Sequence, residues 1–260
     1  MAALAARTEV ATGTLQAVDV TKRFGGVEAL RGVTLELPER EIVGLIGPNG
    51  SGKTTLLNCI SGVFPPTSGR ILLDGRPLAA RGGHRVARAG VVRTFQNIRL
   101  FGSLTALQNV EVGALGAGRV RRARSREYAL GVLDQFGIAH LADRWAATLS
   151  YGDQRRLEVA RALAGAPRFL LLDEPAAGMN ETESEDLRGS IEQIRSDRKC
   201  GILVVEHDLR LIMQLCDTIY VLNEGNVISR GTPEEVRSDP AVIAAYIGEE
   251  EREVKRKGRT

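Results

Sequence analysis

Long apolar segments are missing from this sequence of 260 residues. The strongest apolar runs, at residues 169–172 and 202–205, have the length of a buried strand, well below the ~18 residues of a membrane-spanning helix. The start of the chain carries Arg7 and Glu9 and has no apolar centre typical of a signal peptide. We therefore expect a cytosolic chain with no membrane span of its own.

Cysteine is also scarce. The three residues, Cys59, Cys200 and Cys216, are odd in number, widely spaced and form no C-x-x-C pair. This pattern predicts neither a disulfide framework nor a zinc site, and favours reduced, structural thiols. Hydrophobic residues make up 43% and charged residues 26%, a balance typical of a soluble globular protein.

No large excess of one charge is present. The net charge of +3 is too small to favour a nucleic acid as partner, and we expect none. Residues 249–260 mix both signs and read as a solvated tail. An arginine cluster reads as an exposed helix face, with contact to anionic lipid or an acidic partner as the alternative. Its members are Arg119, Arg121, Arg122, Arg124 and Arg126.

A glycine-rich loop is the most informative segment. Residues 47–55 form a complete G-x-x-x-x-G-K-T motif between an apolar strand at 41–46 and a helix at about 53–60. Glycine lets successive backbone N–H groups approach phosphates, and the helix N-terminus adds positive potential. We expect Lys53 to reach the β and γ phosphates of a nucleotide and the Thr54 hydroxyl to ligate Mg²⁺. The predicted nucleotide-binding residues are Gly47, Pro48, Asn49, Gly50, Ser51, Gly52, Lys53, Thr54 and Thr55.

The pattern along the chain predicts an α/β fold: a P-loop NTPase core with a parallel sheet, an antiparallel β edge subdomain and an inserted α-helical subdomain. Predicted strands lie at residues 15–21, 33–37, 41–46, 71–73, 91–95, 169–173, 201–206, 218–222 and 226–230. The first two strands read as an antiparallel edge sheet, and the last two as a hairpin. The strands at 41–46, 169–173 and 201–206 belong together in the parallel sheet, joined by helices such as 181–195.

The predicted domain division follows from a change in the spacing of hydrophobic residues along the chain. Residues 97–164 show helical spacing between the two groups of strands. The predicted division is an N-terminal extension 1–13, a nucleotide-binding core 14–96 and 165–248, a helical subdomain 97–164, and a charged tail 249–260.

Two carboxylates end the strand at 169–173. Asp173 and Glu174 lie at the carboxyl edge of the sheet, where α/β proteins bind ligands. Beside a phosphate loop they predict a phosphoryl-transfer site, with Asp173 in the Mg²⁺ shell and Glu174 orienting or deprotonating the attacking water. Taken alone, the pair is also explained as acids that cap a strand end in water.

The segment 149–154 reads L-S-Y-G-D-Q and leads into a helical run. The Ser150 hydroxyl, the Gly152 N–H and a helix N-terminus suit an anion, although Ser-x-Gly at a helix start is commonly only a cap. In order with the other motifs it resembles the signature of ABC-type ATPases, usually L-S-x-G-x-Q. The resemblance implies ATP-binding roles for Ser150, Gly152 and Gln154. It also implies a second ATPase subunit, because in that family each ATP lies between the phosphate loop of one chain and the signature of another.

Isolated residues match the same family in order along residues 15–231. Gln96 resembles the Q-loop glutamine that senses Mg²⁺ and water and borders the membrane subunit. His207 resembles the switch histidine that hydrogen-bonds the γ-phosphate, and Phe24 the aromatic that stacks on adenine. The resemblance thus implies catalytic roles for Glu174, His207 and Gln96, and metal ligands Thr54, Gln96 and Asp173. His84 and His140 lack such a context and read as structural.

Three segments narrow the resemblance to a subgroup. Residues 93–101, 176–180 and 245–249 are similar to ATP-binding subunits of branched-chain amino acid importers, and a related importer class for urea or short amides shares much of the pattern. Asn180 departs from the wider family, in which most members carry aspartate in this D-loop. The resemblance implies a peripheral subunit at the cytoplasmic face of the inner membrane, working with transmembrane permease subunits and, indirectly, an extracytoplasmic solute-binding protein.

Other classes stay open at this point. A soluble ABC ATPase acting on DNA, ribosomes or protein assemblies usually has fused nucleotide domains or long coiled-coil insertions, for which 260 residues leave no room. A P-loop kinase of a small metabolite explains the phosphate loop but not the segment 149–154. The residues quoted do not contact a transported solute, so the solute and the direction of transport rest on lineage. They also leave homodimer and heterodimer open.

Overall fold

The computed structural model describes residues 13–78, 82–118 and 120–246. The predictions for residues 1–12 of the extension, for Arg119, for residues 247–248 of the core and for the tail 249–260 lie outside the described residues. None of the described helices is both long and apolar enough to span a membrane.

The strands and helices follow the expected α/β order. The strands are β1 Thr14–Phe24, β2 Val27–Pro38, β3 Ile42–Ile46, β4 Ser68–Leu73, β5 Arg76–Pro77, β6 Val91–Arg93, β7 Phe169–Asp173, β8 Gly201–Val205, β9 Thr218–Asn223 and β10 Asn226–Gly231. The helices are α1 Lys53–Ile60, α2 Gly83–Arg88, α3 Ala106–Gly116, α4 Ser125–Gln135, α5 Tyr151–Ala164, α6 Glu181–Arg198, α7 Leu209–Leu215 and α8 Pro233–Ser238.

The main sheet has the order β10-β9-β3-β8-β7-β6. Pairing is parallel from β9 through to β6, and β10 joins β9 as the predicted hairpin. Every residue of β3, β7 and β8 is buried, as expected for parallel strands covered on both faces. The prediction that these three strands share a parallel sheet is confirmed. Their carboxyl ends lie side by side, which brings the segments after Ile46, Asp173 and Val205 to one edge.

The second sheet is antiparallel, with the order β2-β1-β4-β5, and confirms the predicted edge sheet. One apolar core lies between this sheet, α1 and the main sheet, and includes Leu35, Leu56 and Tyr220. The Glu36 N–H donates to the Tyr220 hydroxyl at 3.2 Å, which ties the two sheets together. The other core lies between the main sheet and the helices α3 to α7.

Strand β6 is shorter than predicted. It ends at Arg93 instead of residue 95, although the Thr94 N–H still donates to the Leu171 carbonyl at 2.9 Å. The next two carbonyls, of Phe95 and Gln96, accept hydrogen bonds from the Arg155 guanidinium on α5. Arg155, about sixty residues further along the chain, thus binds the carbonyls that would otherwise be available to a longer strand. The local sequence pattern could not show where β6 ends, because this contact is long-range.

The region predicted as helical contains α3, α4 and α5. The first of these helices begins only at Ala106, where Thr105 and Gln108 form a capping box, and residues 97–105 are not helical. Val110, Leu133 and Leu157 pack these helices against one another in the apolar core. The boundaries of the helical subdomain at 97 and 164 stay a prediction.

Candidate nucleotide-binding site

The phosphate loop lies between β3 and α1 and is held tightly by two neighbouring strands. Gly47 has φ +145°, and a Cβ there would lie 1.9 Å from the Leu222 carbonyl oxygen on β9. At Gly52, with φ +110°, a Cβ would lie 2.7 Å from the Ala29 carbonyl oxygen on β2. Both positions therefore require glycine, because the backbone approaches other backbone too closely for a side chain.

Lys53 is the first residue of α1, and its side chain contacts the start of the phosphate loop. Its Nζ donates to the Gly47 carbonyl at 2.6 Å and to the Pro48 carbonyl at 3.0 Å. Asn49, Gly50 and Thr54 are exposed on the same loop, whereas Ser51 is buried. The Lys53 ammonium thus lies at the phosphate loop, whose middle residues are exposed, a setting suited to phosphate.

Asp173 forms a buried ion pair that sequence reasoning missed. Arg93 Nη2 lies 2.7 Å from Asp173 Oδ2, and each side chain is only 4% exposed. Arg93 also donates to Asn58 Oδ1 at 2.7 Å and to Ser61 Oγ at 3.2 Å, both at the end of α1. The strand carboxylate is therefore fixed to the helix that follows the phosphate loop. An arginine inside a buried strand was a usable signal, because a buried cation requires an anionic partner.

The donor set fits Mg²⁺. The Oδ1 atom of Asp173 accepts no hydrogen bond within the described part of the chain, since Arg93 engages only Oδ2. The Thr54 hydroxyl and the Gln96 amide oxygen are the other predicted ligands, and both residues are exposed. Hydroxyl, amide and carboxylate oxygens are the hard ligands that Mg²⁺ prefers. The metal roles of Thr54, Gln96 and Asp173 stay predictions.

The structure brings Gln96 and Glu174 together. Gln96 Nε2 donates to Glu174 Oε2 at 2.9 Å. Glu174 has φ +49°, an uncommon conformation for a residue other than glycine, and its N–H donates to the Val205 carbonyl at 2.8 Å. Immediately after β7 the chain therefore turns sharply and directs a partly exposed carboxylate to the Gln96 amide, with which it forms a direct hydrogen bond.

His207 follows β8 and its side chain is 68% exposed. Glu206 before it is 1% exposed, and its carboxylate accepts the Ala176 N–H at 2.7 Å and the His207 N–H at 3.2 Å. Burial raises the pKa of Glu206, while these two N–H donors and His207 oppose the rise. Glu206 thus links the segment after Glu174 to the residue predicted as the switch histidine. Sequence reasoning passed over it as part of an apolar strand.

The signature segment begins α5. Ser150 is the N-cap: its hydroxyl accepts the Asp153 N–H at 3.2 Å and donates to Asp153 Oδ2 at 2.7 Å. Gly152 is buried, and a Cβ there would lie 2.4 Å from Glu183 Oε1. The Gln154 amide donates back to the Leu149 carbonyl at 3.0 Å, so this side chain lies along its own turn. The ATP-binding roles of Ser150, Gly152 and Gln154 stay predictions.

Phe24 and Asn180 are the remaining residues singled out in the sequence. Phe24 ends β1, is 47% exposed and meets Phe64 edge-on with 5.3 Å between ring centroids. Asn180 is the N-cap of α6, where its side chain accepts the Glu183 N–H at 2.9 Å. Asparagine and aspartate cap helices about equally well, so the departure at Asn180 retains the local structure.

Two family models match parts of the chain. The family model described as "ABC transporter" matches residues 30–177, and that described as "Branched-chain amino acid ATP-binding cassette transporter" matches residues 226–252.

Several characterised relatives align over most of their length. The high-affinity branched-chain amino acid transport ATP-binding protein BraF of Pseudomonas aeruginosa is 45% identical, over 90% of this chain and 98% of its own. LivG of Escherichia coli, described in the same words, is 46% identical over 87% of this chain and 94% of its own length. The lipopolysaccharide export system ATP-binding protein LptB of Escherichia coli is 34% identical over 91% and 98%.

Solved structures agree on the fold. The ADP conformation of MJ1267, an ATP-binding cassette of an ABC transporter, superposes with a TM-score of 0.81 at 29% identity, covering 90% of this chain and 98% of that one. The dimeric cassette MJ0796 gives a TM-score of 0.74 at 29% identity, covering 84% and 98%. The expected P-loop cassette fold is confirmed.

Proposed function

Since the chain belongs to the ABC transporter family, we propose that it energises the uptake of branched-chain amino acids, as one of two ATPase subunits bound to separate membrane subunits. The observation that carries this proposal is the 45% and 46% identity to BraF and LivG over nearly the whole chain. The second match, at residues 226–252, lies outside the general cassette and supports the same subgroup.

The geometry provides a route for hydrolysis. In this proposal the phosphate loop and Lys53 hold the β and γ phosphates, and Asp173, whose other oxygen is bound by Arg93, would help to ligate the metal. Bound Mg²⁺ would neutralise charge on the phosphates. Glu174 accepts the proton of the attacking water, while Gln96 orients the Glu174 carboxylate through their 2.9 Å hydrogen bond. His207, exposed at the same edge, donates a hydrogen bond to the γ-phosphate.

A groove beside this site suits a membrane subunit. It has a volume of about 680 Å³ and lies between α2, β6 and the helices α3 and α5. Phe95 and Arg99, which lie next to Gln96, form part of its wall. Two exposed apolar side chains, Phe101 and Val112, also line the groove. Docking here would place the chain at the cytoplasmic face of the membrane, with its partner touching the loop that carries Gln96.

An uptake assay tests the transport proposal. Cells lacking the gene are expected to lose high-affinity uptake of labelled leucine, isoleucine and valine, and to regain it with the wild-type gene but not with Lys53→Ala. Loss of urea or acetamide uptake instead would favour the related importer class. Unchanged uptake with a defect in lipopolysaccharide export would contradict the proposal in favour of the role that LptB has.

A further inference from the structure

A buried ion pair on α5 holds the Q-loop. Arg155 and Glu158 are each 2% exposed, and Arg155 Nη1 lies 3.3 Å from Glu158 Oε2. Burial raises the pKa of Glu158, while Arg155 and the Arg99 N–H oppose the rise. A buried ion pair is weak evidence for stability, because removal of two charges from water offsets most of their attraction. Its contacts therefore need another explanation.

These contacts converge on the backbone around Gln96. Arg155 donates to the Phe95 carbonyl at 2.9 Å through Nη1 and to the Gln96 carbonyl through Nη2. Glu158 Oε1 accepts the Arg99 N–H at 3.0 Å. Three backbone groups over five residues are thus held by one helix, and the side chain between them, Gln96, reaches Glu174. The position of α5 fixes the position of Gln96.

The same guanidinium also contacts the signature segment. Arg155 Nη2 donates to the Tyr151 hydroxyl at 3.2 Å, one residue after Ser150. The Tyr151 ring packs against the D-loop, where a Cβ on Gly178 would lie 2.9 Å from Tyr151 Cε1. The buried Arg155 guanidinium therefore connects the Q-loop with the signature segment. In the proposed function, the Q-loop acts on the ATP bound to the chain's own phosphate loop.

We propose that Arg155 and Glu158 are positioning residues that couple the two ATP sites of the paired ATPase subunits. This inference rests on the proposed function, in which Ser150 covers the ATP of the other chain while Gln96 serves the chain's own. When the signature segment binds ATP at one site, it shifts and moves α5. Arg155 transmits this shift to Gln96 at the other ATP site. Neither residue touches the nucleotide.

The test is the ATP dependence of hydrolysis by the purified full chain. The variant Arg155→Met with Glu158→Gln removes both charges together, so that neither is left buried alone, and keeps an acceptor for the Arg99 N–H. Wild-type chain should show a Hill coefficient approaching ~2, the number of sites, and the double variant ~1. The kcat should fall ~10-fold to 10²-fold, as expected for a misplaced catalytic group. Binding of a fluorescent ATP analogue to the phosphate loop should change less than twofold, which separates positioning from binding.

Arg155→Lys separates positioning from charge pairing, and covers the case in which the double variant fails to fold. Lysine restores the cation opposite Glu158 but lacks the planar pair of nitrogens through which the guanidinium holds the two carbonyls in fixed positions. We expect it to lower the Hill coefficient as well. A wild-type Hill coefficient and kcat in Arg155→Lys would show a purely structural pair and overturn the inference.

The matched control removes an arginine–glutamate pair with the same three-residue spacing from the surface of α6. Arg188 bonds Glu185 and Glu192 on the solvent side of that helix, and Arg188→Met with Glu185→Gln should keep the wild-type Hill coefficient. Equal loss of cooperativity in this control would overturn the inference. Absence of cooperative hydrolysis in the wild-type chain itself would contradict a site formed by two copies of this chain, a separate failure that is read without any variant.

Discussion

At the scale of single residues, the proposed mechanism depends on Glu174 as the predicted base and on Gln96, which hydrogen-bonds its carboxylate. The sequence predicted roles for both, because each lies at a fixed place in a motif. It could not predict their 2.9 Å hydrogen bond, which joins segments 78 residues apart. Arg155 and Glu206 were missed for the same reason, because each contacts backbone groups brought close only by folding. Arg93 offered a signal, a cation within a predicted strand, but its partner Asp173 lies 80 residues away.

Glu174→Gln is the direct test of the assigned base. Glutamine keeps the size and the hydrogen bonding of the side chain but cannot accept a proton, so turnover should fall ~10² to 10⁴-fold. Steady-state ATPase assays measure this loss, and equilibrium binding of ATP should stay unchanged. Turnover at the wild-type rate would contradict the assignment of Glu174.

Asp74 provides a prediction about pH. Hydrogen bonds from Arg168 lower the pKa of Asp74 to about 2, helped by the N–H groups of Gly13 and Thr14. A carboxyl with a depressed pKa stabilises the fold above its unfolded pKa of ~3.9, and this contribution is lost as the pH falls towards the folded value. Asp74→Asn should therefore lower the Tm at pH 7 by a few degrees, since ~1 kcal/mol corresponds to roughly 2–4 °C in a chain of this size.

The difference in Tm between wild-type protein and Asp74→Asn should shrink between pH 4 and pH 2, as scanning fluorimetry can measure. Asparagine tolerates the φ of +52° at this turn, so backbone strain does not confuse the comparison. Asp134→Asn, at an exposed position on α4, is the matched control and should change the Tm little at any pH. A constant Tm difference across this range would contradict the role given to the Asp74 carboxylate.

At the scale of elements, burial made the central strands predictable. β7 was predicted with its observed bounds and β3 and β8 within one residue, because continuous apolar runs bounded by turns indicate strands covered on both faces. The predicted end of β6 at residue 95 was wrong, because Arg155 on α5 binds the carbonyls of the two residues that follow Thr94. α6 extends three residues beyond its predicted end, to Arg198, a boundary error that local patterns cannot avoid.

The phosphate loop offers a matched pair of glycine substitutions. Gly47→Ala should destabilise the chain by roughly 1–3 kcal/mol from overpacking against Leu222, with backbone strain of ~1–2 kcal/mol in addition. Gly50→Ala has positive φ too, +78°, but a Cβ there meets nothing within 4 Å, so only the strain applies. Urea unfolding of both variants measures the two effects. Equal destabilisation would show that the contact with β9 does not constrain the loop.

At the scale of the whole molecule, the predicted nucleotide-binding residues belong to different parts of the fold. The phosphate loop, Asp173, Glu174 and His207 follow the carboxyl ends of adjacent strands, whereas Ser150 begins a helix of the other core. The layered fold was predictable from periodicity, because strands and helices alternate in blocks. The groove beside the Q-loop was not, because its walls come from α2, α3, α5 and β6 together.

On the proposed function, one ATP site requires the phosphate loop of one chain and the signature segment of another. Lys53→Ala disables the first half and Ser150→Arg obstructs the second, so each variant alone should hydrolyse ATP poorly. Because mixed pairs of a two-fold dimer contain one intact site, an equal mixture should regain up to about a quarter of the wild-type rate. A mixture no more active than the mean of the two separate variants would contradict the shared site.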